Sequence, residues 1–455
     1  MSHHQILDVH CHLFNGVYAL TELTAASWNI LKGTYPQAPP QARGAPRSFL
    51  SLEGIGEFAA YAARLLEAAL SDCEGNYTTQ LDSLAGSALA GRELLCAPLM
   101  MDIYYALDNN GRGMDSPEEA RLLPVTGQLF TVQEKERADF AQHLDQVRDL
   151  VARELIRMNQ GEKFPQETRA DPIDQLDREI EALRERWLGI REAVPKDNAD
   201  GMGLSPGYQD HMEALEQLAR SRPGSVFPFL AIDPRRPRIQ HLLELKLAEG
   251  RGIFRGVKLY PPLGYLPTHP ALESVYTYCQ RYDIPITVHC SLGGFENLRR
   301  QNLVESWTAQ PHWESFTKVR KTKSRYYANP QNWRPVLERF PGLRLNFAHL
   351  GGSRANSAGA INETWFDTIL SLMSEYPNIY ADVAYVASPK RQAQTLARIK
   401  ENDLLMQWVM FGTDFIMLAM DRELGGLVRY FTNYAGIEED LLFNNARRFL
   451  KLEDS

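Results

Sequence analysis

His10 and His12 stand one residue apart at the end of the apolar run Ile6-Leu7-Asp8-Val9-His10-Cys11-His12. Side chains alternate across a strand, so these two imidazoles share a face and can grip one metal ion, while Cys11 points the other way. Four further residues have the same placement. Lys258 lies late in Phe254-Arg255-Gly256-Val257-Lys258-Leu259-Tyr260, and His289 ends Ile284-Pro285-Ile286-Thr287-Val288-His289. His349 ends Leu343-Arg344-Leu345-Asn346-Phe347-Ala348-His349, and Asp414 ends Val409-Met410-Phe411-Gly412-Thr413-Asp414. Imidazoles completed by a carboxylate suit zinc, manganese or another divalent transition metal. No thiolate cluster is available to close the set, which favours a catalytic ion with an open coordination position over a structural one. Singly, each residue has a plainer reading. A strand-end histidine can be a hydrogen-bonded rim residue, Asp414 can cap a turn, and Lys258 can form a rim ion pair.

The elements that must position these residues are short β-rich runs alternating with helix-length segments. Strands are expected at 5–10, 94–101, 226–232, 253–260, 284–290, 343–349, 378–384 and 408–413. Helical periodicity marks 53–70, 271–282, 363–376 and 438–450. Eight such strands predict an α/β fold, a (β/α)8 TIM barrel with parallel strands buried on both faces. Strand ends converge at one mouth of such a barrel, where catalytic groups are found. The whole of 1–455 reads as a single barrel domain. A charged, amphipathic helical insertion after strand 2, about 103–212, carries helices at 133–159 and 172–193. That insertion is read evenly as a packing subdomain, or as a lid or homodimer surface. The segment 291–335, after the fifth strand, contains Arg299, Arg300, Trp307, His312, Trp313, Arg320 and Lys321 and is the better candidate for substrate contact. Tyr260, Arg299, Trp307 and Arg354 are the substrate-binding candidates.

Composition narrows the partners. The 455 residues are 44% hydrophobic and 23% charged, with a formal net charge of −8, which argues against nucleic-acid and anionic-membrane surfaces. No apolar run is long enough for a spanning helix and no signal peptide is evident, so a cytoplasmic location is expected. The five cysteines, at 11, 73, 96, 279 and 290, are scattered and read as reduced, mostly buried thiols. A small-molecule substrate is the expected partner.

At this point the chain resembles the amidohydrolase superfamily, in its amidohydrolase-related branch of metal-dependent hydrolases and decarboxylases. The resemblance rests on the His-x-His strand, Gly256-Val257-Lys258-Leu259-Tyr260-Pro261, His289 and Leu337-Glu338-Arg339-Phe340-Pro341. It continues through Ala348-His349-Leu350-Gly351-Gly352, Phe411-Gly412-Thr413-Asp414 and Asn444-Asn445-Ala446-Arg447-Arg448-Phe449. It covers 1–12 and 226–450 and leaves 103–212 unmatched. It implies that His10, His12 and Asp414 hold the more buried ion, and that Asp414 orients and deprotonates a metal-activated water. In binuclear members the lysine at the position of Lys258 is carboxylated and bridges two ions, with His289 and His349 on the second. In mononuclear members His289 joins the first ion and His349 is left as an acid/base. One or two ions per chain are therefore expected. The leading expectation is hydrolysis of an amide, lactone or ester bond in a small organic molecule. The alternatives are non-oxidative decarboxylation of an aromatic or muconate-type acid and, more weakly, a non-catalytic metal-binding scaffold.

Overall fold

Val-, Ile- and Leu-rich runs have no polar face to show to water, so they pair as parallel strands covered on both sides. The computed structural model describes residues 5–14, 18, 72–106, isolated positions between 145 and 181, 206–236, 238–292, 294–297, 301–316, 322–352, 363–385, 389–418 and 426–452. Its strands in chain order are β1 (Gln5–Cys11), β2 (Glu93–Pro98), β3 (Phe229–Ile232), β4 (Gly256–Leu259) and β5 (Ile286–His289). There follow β6 (Gln301–Ser306), β7 (Ala309–Ser315), β8 (Leu345–Ala348), β9 (Ile379–Asp382) and β10 (Val409–Met410).

β1 pairs with β2, and the order β10-β9-β8-β5-β4-β3 forms a six-stranded parallel sheet. Bridges Cys96–Val226 and Leu99–Phe229 join β2 to β3. At the other edge, the Val9 N–H donates to the Phe411 carbonyl and the His12 N–H to the Phe415 carbonyl, each at 3.1 Å. The eight parallel strands therefore follow one another edge to edge back to the first, as a (β/α)8 barrel requires. Each of the eight expected strands overlaps an observed one. The last spans only Val409–Met410, and the Phe411 N–H that follows donates to the Leu441 carbonyl at 2.9 Å.

One end of the strand ring is sealed by apolar packing. Phe449, in the final helix Asn445–Leu450, stacks on Phe229 at 6.2 Å and lies 5.1 Å from Tyr380. Gly256 leaves room for that Phe229 ring, which a Cβ there would overlap. The expected helix 438–450 opens as a π-turn, Asp440–Asn444, before it becomes α-helical. Within the expected loop 291–335, β6 and β7 form an antiparallel hairpin and Thr322–Tyr327 a short helix.

The expected helix 53–70 and most of 103–212 lie outside the described residues. Within that span the Arg148 guanidinium grips both oxygens of Asp177, at 2.7 and 3.1 Å, joining the two stretches read as helices. Among the described residues no helix is long and apolar enough to cross a membrane, and all five cysteines are free and buried.

Candidate metal centre

The register of β1 against β2 shifts between Asp8 and Cys11, at the His-x-His pair. There the His10 and His12 rings stand edge to face, 5.4 Å apart. Each ring spends one nitrogen on the scaffold. His12 Nδ1 donates to the Leu99 carbonyl (2.7 Å) and His10 Nδ1 to the Asp382 carboxylate (3.1 Å). These bonds set the tautomers, so both Nε2 lone pairs remain for a ligand. They converge on Asp414 Oδ1, which lies 3.4 Å from His10 Nε2 and 3.2 Å from His12 Nε2. Asp414 is held there by its N–H, which donates to the His10 carbonyl at 2.6 Å. Its Oδ1 is buried and has no hydrogen-bond partner among the described residues. Burial pushes the His10 pKa down to about 4, against the pull of Asp382, so this ring is neutral near pH 7. Lone pairs and a carboxylate oxygen converging in a dry site repel one another unless a cation joins them. The donor set fits a divalent ion.

Asp382 behaves differently. One of its oxygens accepts from His10 Nδ1 (3.1 Å) and Asn346 Nδ2 (2.8 Å). The other accepts from the backbone N–H of His349 (2.9 Å) and of Ala384 (3.1 Å). Burial works against its charge, yet His10 and these donors hold it below the usual carboxylate range. His10, His349 and Asp382 also lie within ligating distance of one another. Both Asp382 oxygens are thus already occupied, one of them by the His10 ring.

His349 and His289 continue the cluster. His349 Nδ1 donates to the Ala384 carbonyl (3.1 Å), and its Nε2 lies 3.2 Å from His289 Nδ1. The far nitrogen of His289, Nε2, is 3.1 Å from the Ser291 hydroxyl. His349 and Asp414 both have positive φ (69° and 57°), backbone strain of the kind that gathers at working sites. Lys258 is 1% exposed, and among the described residues its amine has no hydrogen-bond partner. Burial pushes its pKa down to about 8, against the attraction of Asp382 and Asp414. Beneath the histidines, burial raises Asp8 to about 7 even though the Thr413 N–H and hydroxyl and the His10 N–H all donate to it.

Thus His10, His12, His289, His349 and Asp414 form one contiguous cluster, and Lys258 lies within electrostatic reach of its carboxylates. Tyr260 stacks on His289 with ring centroids 4.4 Å apart. Trp307 lies elsewhere, packed on Tyr276 (6.3 Å) and Phe340 (6.4 Å) beneath the Arg339 guanidinium. Arg299 and Arg354 fall outside the described residues. Sequence reasoning passed over Asp382, although it ends a strand as the other polar residues do. It also passed over His211, 4% exposed, whose ring meets Phe14 (5.6 Å) and Tyr18 (4.8 Å). Phe14 in turn packs 5.8 Å from His12. No local spacing marks His211, because it sits mid-helix in Pro206–Ser221.

Strand order and donor set together define a metal-dependent α/β enzyme. A family model described as Amidohydrolase matches residues 206–452, and the chain belongs to that amidohydrolase family. The matched span contains Lys258, His289, His349 and Asp414 and leaves out His10 and His12. Among solved structures, the chain is similar to a 5-carboxyvanillate decarboxylase from Novosphingobium aromaticivorans, whose structure holds manganese and 3-methoxy-4-hydroxy-5-nitrobenzoic acid. The match has 9% identity over 99% of this chain and 98% of that one, with a TM-score of 0.47. It is also similar to a probable 2-pyrone-4,6-dicarboxylic acid hydrolase from Acinetobacter baumannii. There the identity is 12% over 53% of this chain and 78% of the other, with a TM-score of 0.33. Likenesses this distant carry no reaction across. No curated protein matches the chain.

Proposed function

We propose that the chain removes carbon dioxide, without oxidation, from a small aromatic or conjugated acid at a centre holding one divalent ion. The observation that carries this reading is Lys258, a buried amine without a hydrogen-bond partner beside a cluster whose one unsatisfied carboxylate oxygen belongs to Asp414. An unpaired buried ammonium is costly, and an organic carboxylate is the partner that relieves it. The buried rings of Phe14, Tyr18 and His211 pack beside His12 and would give a planar substrate aromatic neighbours there.

His10, His12 and Asp414, joined by His289, would hold the ion. When bound, it supplies Lewis acidity that fixes a substrate oxygen and draws electron density from the ring. Lys258 pairs with the substrate's negative charge. Asp382 keeps the His10 lone pair aimed at the centre. His349, its Nδ1–H anchored on the Ala384 carbonyl, takes a solvent proton at its Nε2 lone pair and passes it to the carbon that loses the carboxyl group. In that exchange the carbon–carboxyl bond breaks, its electron pair stays on carbon and takes the proton, and carbon dioxide leaves.

Hydrolysis of an amide, lactone or ester is the second reading. It is favoured by the facing of His289 Nδ1 and His349 Nε2, two donors able to share a second ion if Lys258 is carboxylated. The test is a panel of hydroxybenzoic and muconate-type acids, amides and lactones given to manganese- and zinc-loaded protein. Metal-dependent carbon dioxide release, with one solvent deuteron entering carbon in D2O and one metal equivalent per chain, is the expected result. It should disappear in His10→Ala and Asp414→Asn. Turnover of amides or lactones without carbon dioxide, at two metal equivalents, would replace decarboxylation by hydrolysis.

A further inference from the structure

We propose that Tyr260 is a positioning residue that, together with Gly294, clamps the His289 ring in one plane and one tautomer. The proposal rests on the reading that His289 joins the cation-binding set. Tyr260 follows β4, and its ring lies over His289 at 4.4 Å with only 26° between the planes. Its N–H and its hydroxyl are both engaged. The Tyr260 N–H donates to the Tyr265 hydroxyl at 2.6 Å, and its own hydroxyl accepts the Phe295 N–H at 3.0 Å. The loop after β5 is thereby tied down over the ring. A second tie holds the same loop farther along, where the Asn297 N–H donates to the Pro262 carbonyl (3.0 Å).

Immediately before the first tie sits Gly294, with φ +92°. A Cβ there would collide with the Tyr260 hydroxyl and lie 2.8 Å from His289 Nε2, so the close approach requires glycine. The consequence is directional. With its plane fixed, His289 turns Nε2 toward Ser291 (3.1 Å) and Nδ1 toward His349 (3.2 Å). An Nε2–H donated to Ser291 leaves the Nδ1 lone pair facing the cluster. His10, His12 and His349 present the opposite nitrogen, Nε2. A stacked ring and a side-chain hydroxyl both bear on the orientation of His289. Tyr260 also lies 5.9 Å from the Lys258 amine, so its ring spans the two residues on which metal number turns.

The experiment uses the full chain and Mn2+ alone as probe. Tyr260→Leu should weaken Mn2+ binding about 10- to 100-fold in calorimetry, the range for loss of a ligand-orienting contact. Tyr260→Phe, which keeps the ring, should stay within about three-fold. In the metal-free protein, 15N spectra of the His289 imidazole should show Nε2 protonated in the wild type and a tautomer mixture in Tyr260→Leu. Gly294→Ala leaves Tyr260 in place, and it should reproduce the weakened binding even if Tyr260→Leu does not fold. Adding Tyr260→Phe to Gly294→Ala should recover part of the loss by deleting the oxygen that the new methyl meets. Wild-type affinity with an unchanged His289 tautomer in both Tyr260→Leu and Gly294→Ala would overturn the clamp. A wild-type chain that takes up no Mn2+ would instead overturn the metal reading, and the tautomer spectra would still decide the clamp.

Discussion

Asp414 and Asp382 are both buried carboxylates at strand ends touching His10, and their hydrogen bonds divide the labour between them. Asp414 has an oxygen with no hydrogen-bond partner facing His10 and His12, whereas Asp382 accepts four donors. Asp414→Asn should therefore abolish measurable Mn2+ binding by calorimetry. Asp382→Asn should leave binding in place but about 10- to 100-fold weaker, since it disturbs only the partner that orients His10. Equal losses in the two variants would show that Asp382 is itself a ligand. The strand-end rule could have found Asp382. What it cannot reveal is the division of roles, because a carboxylate looks the same in the sequence whether its oxygens are taken or open.

At the scale of elements, the segments leaving β2 and β3 are locked by a buried ion pair. Arg236 donates to both oxygens of Asp102, at 2.8 and 2.6 Å, and its guanidinium lies 4.1 Å from the Tyr208 ring centroid. Beside it Arg235 grips Asp233 at 2.7 and 2.6 Å. Asp102→Ala would strand a buried guanidinium and should cost about 3–5 kcal/mol in urea unfolding. Asp177→Ala, which breaks an exposed pair with Arg148, should cost less than about 1 kcal/mol. The strands themselves were legible because apolar runs bounded by turn residues leave a parallel, doubly covered sheet as the economical solution. The hairpin of β6 and β7 was not legible. Its exposed Ala309-Gln310-Pro311-His312 edge lacks the apolar alternation that marks a half-buried strand, and it is held by pairing to β6.

For the whole molecule, the unpaired charge of Lys258 makes the metal-free fold sensitive to pH. Its pKa falls from an ordinary 10.5 to about 8 because burial disfavours the ammonium. The unfolded chain then holds a proton that the folded chain has released, so stability should rise between pH 8 and 10.5. Asp8 has the opposite sense. Raised by burial from 3.8 to about 7, it subtracts stability as pH climbs through that interval. Lys258→Met should stabilise the metal-free chain at pH 7 by on the order of 3 kcal/mol and remove the rise above pH 8 in thermal melts. A variant no more stable than wild type at pH 7 would mean that the amine already has a partner.

By itself the sequence determined which polar residues end apolar strands. Period and run length decide that locally, and in a parallel α/β ring the strand ends share one mouth. His10, His12, His289, His349 and Asp414 follow from that logic alone. Only the tertiary structure decided which nitrogen of His10, His12 and His349 is spent on the scaffold, which carboxylate keeps an unpartnered oxygen and that Tyr260 stacks on His289. Those outcomes depend on partners far away in the chain, such as Asp382 on His10 across 372 residues, and hydrogen-bond direction has no signature in local spacing.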